Sequence, residues 1–152
     1  MTPQQESTVV QFDYTALESV ISNEDVAIAL AAVVEKNDSQ RVFLVASGSL
    51  SSATGEFATI RESLGNRFAG LFTGIGSHTP REDVFKALAA ARHAEADVLV
   101  SLGGGSIIDA CKTMQLAIDQ DIHTEDQLLE YAQLADGSRG PKHADYSLFS
   151  DQ

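Results

Sequence analysis

The chain has very few of the residues that build disulfide frameworks and metal clusters. Its 152 residues include one cysteine, three prolines and no tryptophan. A single cysteine, Cys111, excludes an internal disulfide framework and a CxxC metal or redox motif. Cys111 lies inside a predicted helix, and a free cysteine usually packs as a small hydrophobic residue. We therefore expect it in the core.

Basic residues are also scarce. Ten Lys and Arg stand against 22 Asp and Glu, which gives a formal net charge of −12. This sign opposes binding to a phosphate backbone, so nucleic acid is not an expected partner. No apolar run approaches the roughly 20 residues of a membrane span, and MTPQQESTVVQF lacks the basic start and apolar core of a secretory signal. We expect a cytoplasmic protein without membrane contact.

The composition is otherwise that of a folded globular domain. Apolar residues make up 43% of the chain and charged residues 21%, which is an ordinary balance for a soluble domain. Regular periodicity ends near residue 136, and DGSRGPKHADYSLFSDQ follows. We predict one domain over residues 1–135 and a polar tail over residues 136–152.

Strand and helix patterns alternate along the chain. Asn23 is the predicted N-cap of the first helix, and Thr79 and Pro80 are the predicted N-cap and first residue of the third; residues 47–55 are predicted as a loop. A spacing of roughly 25–30 residues between these strand-helix units favours parallel β-α-β units with right-handed crossovers. The expected fold is α/β, a three-layer Rossmann-like parallel sheet flanked by helices. The predicted strands cover residues 8–12, 42–46, 67–73 and 97–102, and the predicted helices cover residues 24–36, 56–64, 81–93, 107–118 and 125–135.

Three consecutive glycines, Gly103, Gly104 and Gly105, stand where the last predicted strand meets a helix. Without side chains, the backbone there can adopt positive φ and bring its N–H groups close to a ligand. Ser106 adds a hydroxyl, and the helix that follows contributes the positive end of its dipole. The turn is neither a GxGxxG fingerprint nor a P-loop. A cradle for a pyrophosphate and a tight turn without a ligand both fit this pattern.

Asp109 lies one helical turn beyond the glycines, close enough to face a bound ribose or nicotinamide. An ion pair with Lys112, three residues later on the same helix face, is the alternative role. Asp119 and His123 have a D-x-x-x-H spacing but fall in a polar loop, where solvated side chains are expected. The chain has no GxSxG elbow, and a nucleophilic role for Ser77-His78 is not expected.

The string ADVLVSLGGGSIIDACK, residues 96–112, resembles the GGGSxxDxxK signature of the iron-containing alcohol dehydrogenase family, which includes the maleylacetate reductases. The preceding HTP segment, its helix and the AD pair are similar to that family as well. RVFLVASGSL, residues 41–50, resembles the family's strand at the adenosine ribose, and LLEYA at residues 128–132 resembles its segment after the signature helix. The resemblance covers residues 41–131.

This resemblance implies a domain that binds NAD or NADP, with the glycines on the pyrophosphate. In the family, a separate all-helical C-terminal domain supplies Asp and His ligands to a divalent metal. Nothing after Asp136 resembles the next family block, so we expect a domain without that helical part, with no metal in this chain and no complete dehydrogenase activity alone. Ser47 stands where NAD-preferring members often carry an acid, so a 2′-phosphate would not be repelled. ISNED replaces the family's glycine-containing turn near the N-terminus, so the resemblance does not establish the family's first hairpin in this chain.

Two functions from different classes remain open at this stage. The first is the dinucleotide-binding half of an oxidoreductase, completed by a helical domain. The second is a redeployed fragment, acting as a non-redox enzyme of isomerase or cyclase type or as a protein-binding partner. In either case, apolar surface that the helical domain would cover predicts self-association, most simply as a two-fold dimer, or a helical partner domain.

Overall fold

The computed structural model describes residues 12–14, 17–51, 55–132, 138 and 140–142. Two short strands precede an alternation of helices and parallel strands. The elements are β1 (Phe12–Tyr14), β2 (Leu17–Val20), α1 (Val26–Lys36), β3 (Val42–Ala46), α2 (Gly48–Ser51), α3 (Glu56–Leu64), a 3-10 turn (Gly65–Arg67), β4 (Phe68–Phe72), α4 (Arg81–His93), β5 (Val98–Leu102), α5 (Gly105–Asp119) and α6 (Glu125–Leu129). No helix in these ranges is long and apolar enough to cross a membrane.

Strand β3 is the centre of a three-stranded parallel sheet with the order β4-β3-β5. All five of its residues are buried, as expected for an apolar strand covered on both faces. Its register with β5 runs without interruption from Val42 opposite Val98 to Ala46 opposite Leu102. The carboxyl ends of β3 and β5 therefore lie side by side.

Helices cover both faces of the sheet, because successive side chains of β3 point to opposite sides. Val42 and Leu44 pack with buried residues of α1 and α3. Phe43 and Val45 pack with buried residues of α4 and α5. The three-layer α/β fold predicted from the sequence is confirmed.

The connections change direction between β3 and β5. From β3 the chain passes through α3 on one face to β4, and from β4 it passes through α4 on the other face to β5. Strand β5 then continues into α5 on that second face. In open α/β sheets, such a switch point opens a crevice at the carboxyl ends of the strands, where ligands bind.

Two predicted helix caps are wrong. Helix α1 begins at Val26, and its N-cap is Asp25 instead of Asn23, because the Asp25 carboxylate accepts from the N–H of Ala27 at 2.8 Å and of Ile28 at 3.3 Å. Pro80 is the N-cap of α4 and not its first residue. Thr79 is not a cap, because an N-cap residue usually has β-region dihedrals and the φ of Thr79 is 53°.

Several boundaries also differ from the prediction, although strand β3 and helices α3 and α4 match it residue for residue. Helix α5 begins at Gly105, two residues before the predicted start, because the N–H groups of Ile107 and Ile108 both donate to the Gly104 carbonyl. Helix α6 ends at Leu129, well short of residue 135. The short helix α2 lies in the predicted loop.

The N-terminal region forms an antiparallel hairpin in which Phe12 pairs with Val20 and Tyr14 with Leu17. The strand predicted over residues 8–12 lies outside the described residues except for Phe12. At the other end, the N–H of Gly140 donates to the Ala132 carbonyl, and Lys142 forms an ion pair with Glu130 at 2.7 Å. The domain boundary at residue 135 stays a prediction.

Candidate functional site

The three glycines of the turn after β5 have two different structural roles. Gly103 has φ of 155°, and a Cβ at this position would lie 2.8 Å from Cγ1 of the buried Ile107. A side chain there would force the buried Ile107 to shift. Gly103 is therefore explained by the packing of the turn.

Packing does not explain the next two glycines. A Cβ built on Gly104 or Gly105 meets no atom within 4 Å, and neither residue has a positive φ. Neither the backbone nor the described neighbours therefore require glycine here. The missing side chains leave open space directly in front of the first turn of α5.

The first turn of α5 presents unpaired hydrogen-bond donors to that space. Its N-cap, Gly104, has no capping side chain. Within the described part of the chain, the N–H groups of Gly105 and Ser106 have no acceptor, whereas those of Ile107 and Ile108 donate to the Gly104 carbonyl. Unpaired N–H groups and the positive end of a 15-residue helix dipole together favour an anion.

Ser47 lies beside this turn, at the switch point. Its N–H donates to the Leu102 carbonyl at 3.0 Å, and its Cβ lies 3.3 Å from the position that a Cβ of Gly103 would take. The Ser47 hydroxyl is 3.2 Å from that of Ser49 and accepts weakly from the Leu50 N–H at 3.4 Å. No carboxylate takes part in these contacts.

A cleft of about 550 Å³ opens at the start of α5. It falls within the usual size of small-molecule sites, about 300–1,000 Å³. The loop before α4, the first turns of α4 and α5, and α6 all contribute to it. The lining residues are His78, Thr79, Arg81, Val84, Gly105, Ser106, Asp109, Thr113 and Leu128.

The predicted site residues are thus divided between two neighbouring places. Gly105, Ser106 and Asp109 line the cleft, while Ser47 and Gly103 lie at the adjacent switch point. The ion pair considered for Asp109 does not form: Lys112 lines a separate groove between β5 and α5, and no acidic partner lies within 4 Å of it among the described residues. Asp109 is exposed and free to meet a ligand.

Sequence reasoning missed the side of the cleft that α4 and its preceding loop provide. His78 and Arg81 are exposed, and their side chains have no hydrogen bond or ion pair within the described ranges. The sequence pairs His78 only with its neighbour Ser77. The HTPR string could have drawn attention to Arg81, but only the fold brings residues 78–81 to the start of α5.

His123, the histidine of the D-x-x-x-H spacing, is held by contacts within the protein. Its Nε2 lies 2.8 Å from Asp121 Oδ1, and its Nδ1 lies 3.2 Å from the Arg92 guanidinium. Asp119 is not among its contacts. Within the described residues, no three His, Cys, Asp or Glu side chains are grouped as metal ligands.

Cys111 is half-buried and packs against the core between the sheet, α4 and α5. Burial raises the pKa of its thiol to about 11. The thiolate is the reactive form of cysteine, so the environment of Cys111 is that of a packing residue.

The sequence of the chain, with the glycine turn and cleft now located, matches the family model for iron-containing alcohol dehydrogenases over residues 18–143. This chain belongs to that family. The match extends the resemblance seen in the sequence at both ends; it begins within strand β2 and does not include β1.

Similar proteins are dehydrogenases and maleylacetate reductases. Dehydrogenase ALT3 of Alternaria alternata is 40% identical over 87 residues, which are 57% of this chain and 22% of that protein. Maleylacetate reductase 2 of Cupriavidus pinatubonensis is 45% identical over 53 residues, 35% of this chain and 15% of that protein. The crystal structure of a maleylacetate reductase from Agrobacterium tumefaciens superposes with a TM-score of 0.54 at 30% identity, over 61% of this chain and 26% of that one. The chain thus spans about a quarter or less of these proteins.

Proposed function

We propose that this chain binds NAD or NADP and is the dinucleotide-binding part of an oxidoreductase of the iron-containing alcohol dehydrogenase family. The observation that carries the proposal is the start of α5, where Gly104 and Gly105 leave open space that neither packing nor φ requires. Two unpaired N–H groups face the position in which a pyrophosphate would lie. On a chain of net charge −12, an anionic ligand needs local compensation of this kind.

Ser106 and Asp109 extend the proposed site along α5. The Ser106 hydroxyl can donate to a phosphate oxygen, and the Asp109 carboxylate can accept from a ribose hydroxyl or a carboxamide. Ser47 at the switch point places no negative charge near a 2′-phosphate. We therefore expect little discrimination between NADP and NAD.

The bound dinucleotide would supply hydride transfer, and this chain's residues would hold and orient it. The similarity to dehydrogenases and maleylacetate reductases supports an oxidoreductase as the whole protein. The same proposal includes a metal-binding helical domain elsewhere in the protein, a dimer and a cytoplasmic location. Contacts from the rest of such a protein would be missing. This chain alone should therefore bind the dinucleotide more weakly than the whole protein, with a loss of about 3 kcal/mol in binding free energy, or a little more than a hundredfold in affinity.

Calorimetry and saturation-transfer NMR at millimolar NADH and NADPH test the proposal. Gly104→Val should abolish binding by filling the open space, and it should still fold, since a Cβ at residue 104 meets no neighbour. His123→Ala is the control, because residue 123 follows the far end of α5 and should leave binding unchanged. If neither nucleotide binds the wild-type chain, the proposal is wrong and the redeployed-fragment alternative takes its place.

A further inference from the structure

Arg81 occupies a position that helix stability does not explain. It is the first residue of α4, next to the positive end of the helix dipole, where a cation is unfavourable. Glu82 and Asp83, which suit this first turn, both contact Lys86, at 2.7 and 3.6 Å. Arg81 forms no hydrogen bond or ion pair with any described residue. An unpaired guanidinium thus lines the cleft.

His78 reaches the same cleft from an unusual backbone. His78 and Thr79 have φ of 62° and 53°, two consecutive non-glycine residues in the left-handed region, and such conformations persist only where surrounding contacts hold them. The Thr79 hydroxyl donates to the Ser106 carbonyl at 3.0 Å, and Asp83 accepts from the Gly76 N–H at 3.1 Å. These contacts fasten the loop at the mouth of the cleft.

The charges in the cleft are of both signs. Arg81, His78 when protonated, and the start of α5 favour an anion, whereas Asp109 favours a hydrogen-bond donor. The guanidinium fork matches a carboxylate or phosphate with two parallel hydrogen bonds. A ligand that fits both signs has an oxyanion at one end and hydroxyl or amide groups at the other.

We propose that Arg81 and His78 form an oxyanion subsite in this cleft. The oxyanion is either the pyrophosphate of the dinucleotide or a carboxylate of the substrate. The subsite deepens the proposed function. It rests on that function only if the oxyanion comes from the dinucleotide. It adds to the glycine turn a second, cationic wall contributed by α4 and its preceding loop.

Binding of NADH, inorganic pyrophosphate and succinate to Arg81→Ala and His78→Asn tests the subsite by calorimetry. Asn tolerates the left-handed conformation that residue 78 adopts, so His78→Asn removes the imidazole with little change in the backbone. Arg67→Ala is the matched control: it removes the same charge from the residue before β4, at the opposite edge of the sheet. Thermal melting checks folding, and Arg81→Ala should melt no lower than the wild type because Arg81 opposes the helix dipole.

Arg81→Ala should weaken at least one probe about tenfold, with a smaller effect from His78→Asn and none from Arg67→Ala. Weaker NADH and pyrophosphate binding identifies the cofactor as the source, and weaker succinate binding alone identifies a substrate carboxylate. If pyrophosphate or succinate binds through Arg81 while NADH does not bind at all, the dinucleotide proposal fails and the subsite stands. Equal binding by Arg81→Ala and the wild type, an equal loss in Arg67→Ala, or no binding of any probe to the wild type overturns the subsite.

Discussion

The Thr79 hydroxyl donates a hydrogen bond of 3.0 Å to the backbone carbonyl of Ser106. This bond joins the loop before α4 to the first turn of α5, across 27 positions in the chain. Because Ser106 follows the open glycines directly, the bond sets the distance between the two walls of the cleft.

Thr79→Val should lower the free energy of unfolding by about 1 kcal/mol, the usual contribution of one hydrogen bond. Valine keeps the shape of threonine but leaves the Ser106 carbonyl without this donor. Urea denaturation measures the change. Thr79→Ser, which keeps the hydroxyl, should stay close to the wild type; if both variants lose the same stability, the hydrogen bond is not the cause.

Substitution by alanine should destabilise the protein at Gly103 but not at Gly104. Gly103→Ala should lower the free energy of unfolding by about 2–3 kcal/mol, since its Cβ would lie 2.8 Å from a buried Ile107 atom and φ is 155°. Gly104→Ala meets no atom within 4 Å and should change stability by less than about 0.5 kcal/mol. Chemical denaturation of the pair measures this, and equal losses would contradict the division of roles.

Arg92 stabilises the far end of α5. Its guanidinium donates at 3.0 Å to the carbonyls of both Ala117 and Ile122, and the Ala117 carbonyl also accepts from the Ile122 N–H at 2.8 Å. Arg92→Met keeps the apolar stem and removes these bonds, so the free energy of unfolding should fall by about 2 kcal/mol. Thermal melting measures the change. Arg67→Met serves as the control, because Arg67 forms no such bonds among the described residues.

Cys111 should react slowly with iodoacetamide in the folded protein. Burial raises its pKa from 9.0 to about 11, so almost no thiolate is present at pH 8, and the reaction rate should climb as the pH rises toward 11. In the unfolded chain the lower pKa applies, so stability present below pH 9 should decline between pH 9 and 11 as the unfolded thiol loses its proton. Labelling at pH 8 with and without urea is the measurement; rapid labelling of the native protein would contradict the raised pKa of the thiol.

Self-association, expected from the sequence, now has a surface to test. Ile108 and Ile118, 40% and 43% exposed, lie on α5 beside the groove along β5, a strand whose only described partner is β3. If a dimer forms there, Ile118→Glu should shift it to monomer in light scattering. Ile28→Glu on α1, where the isoleucine is 61% exposed, should not. A wild-type monomer at high concentration would overturn the expectation.

Much of this fold follows from local sequence. Val42–Ala46 is a short, wholly apolar run, and a run of this kind is typical of a strand covered on both faces. Helices α3 and α4 follow from their own periodicity for the same reason: burial of one face depends on residues close together in the chain. The GGGS turn and its place after a strand also come from the sequence, and so does the family.

The caps and the cleft were decided by the tertiary structure. Asn23 and Asp25 are both competent caps, and in the structure Asp25 accepts from the first N–H groups of α1 while Asn23 has a φ of 63°. The three glycines look alike in the sequence, but the position of Ile107 and a φ of 155° separate Gly103 from the two that leave open space. Arg81 and Asp109 are 28 residues apart in the numbering, and they share a cleft because α4 and α5 pack on the same face of the sheet. Local patterns report backbone preference and burial, whereas the charges that face each other across a site depend on contacts between distant segments, which only the packed layers specify.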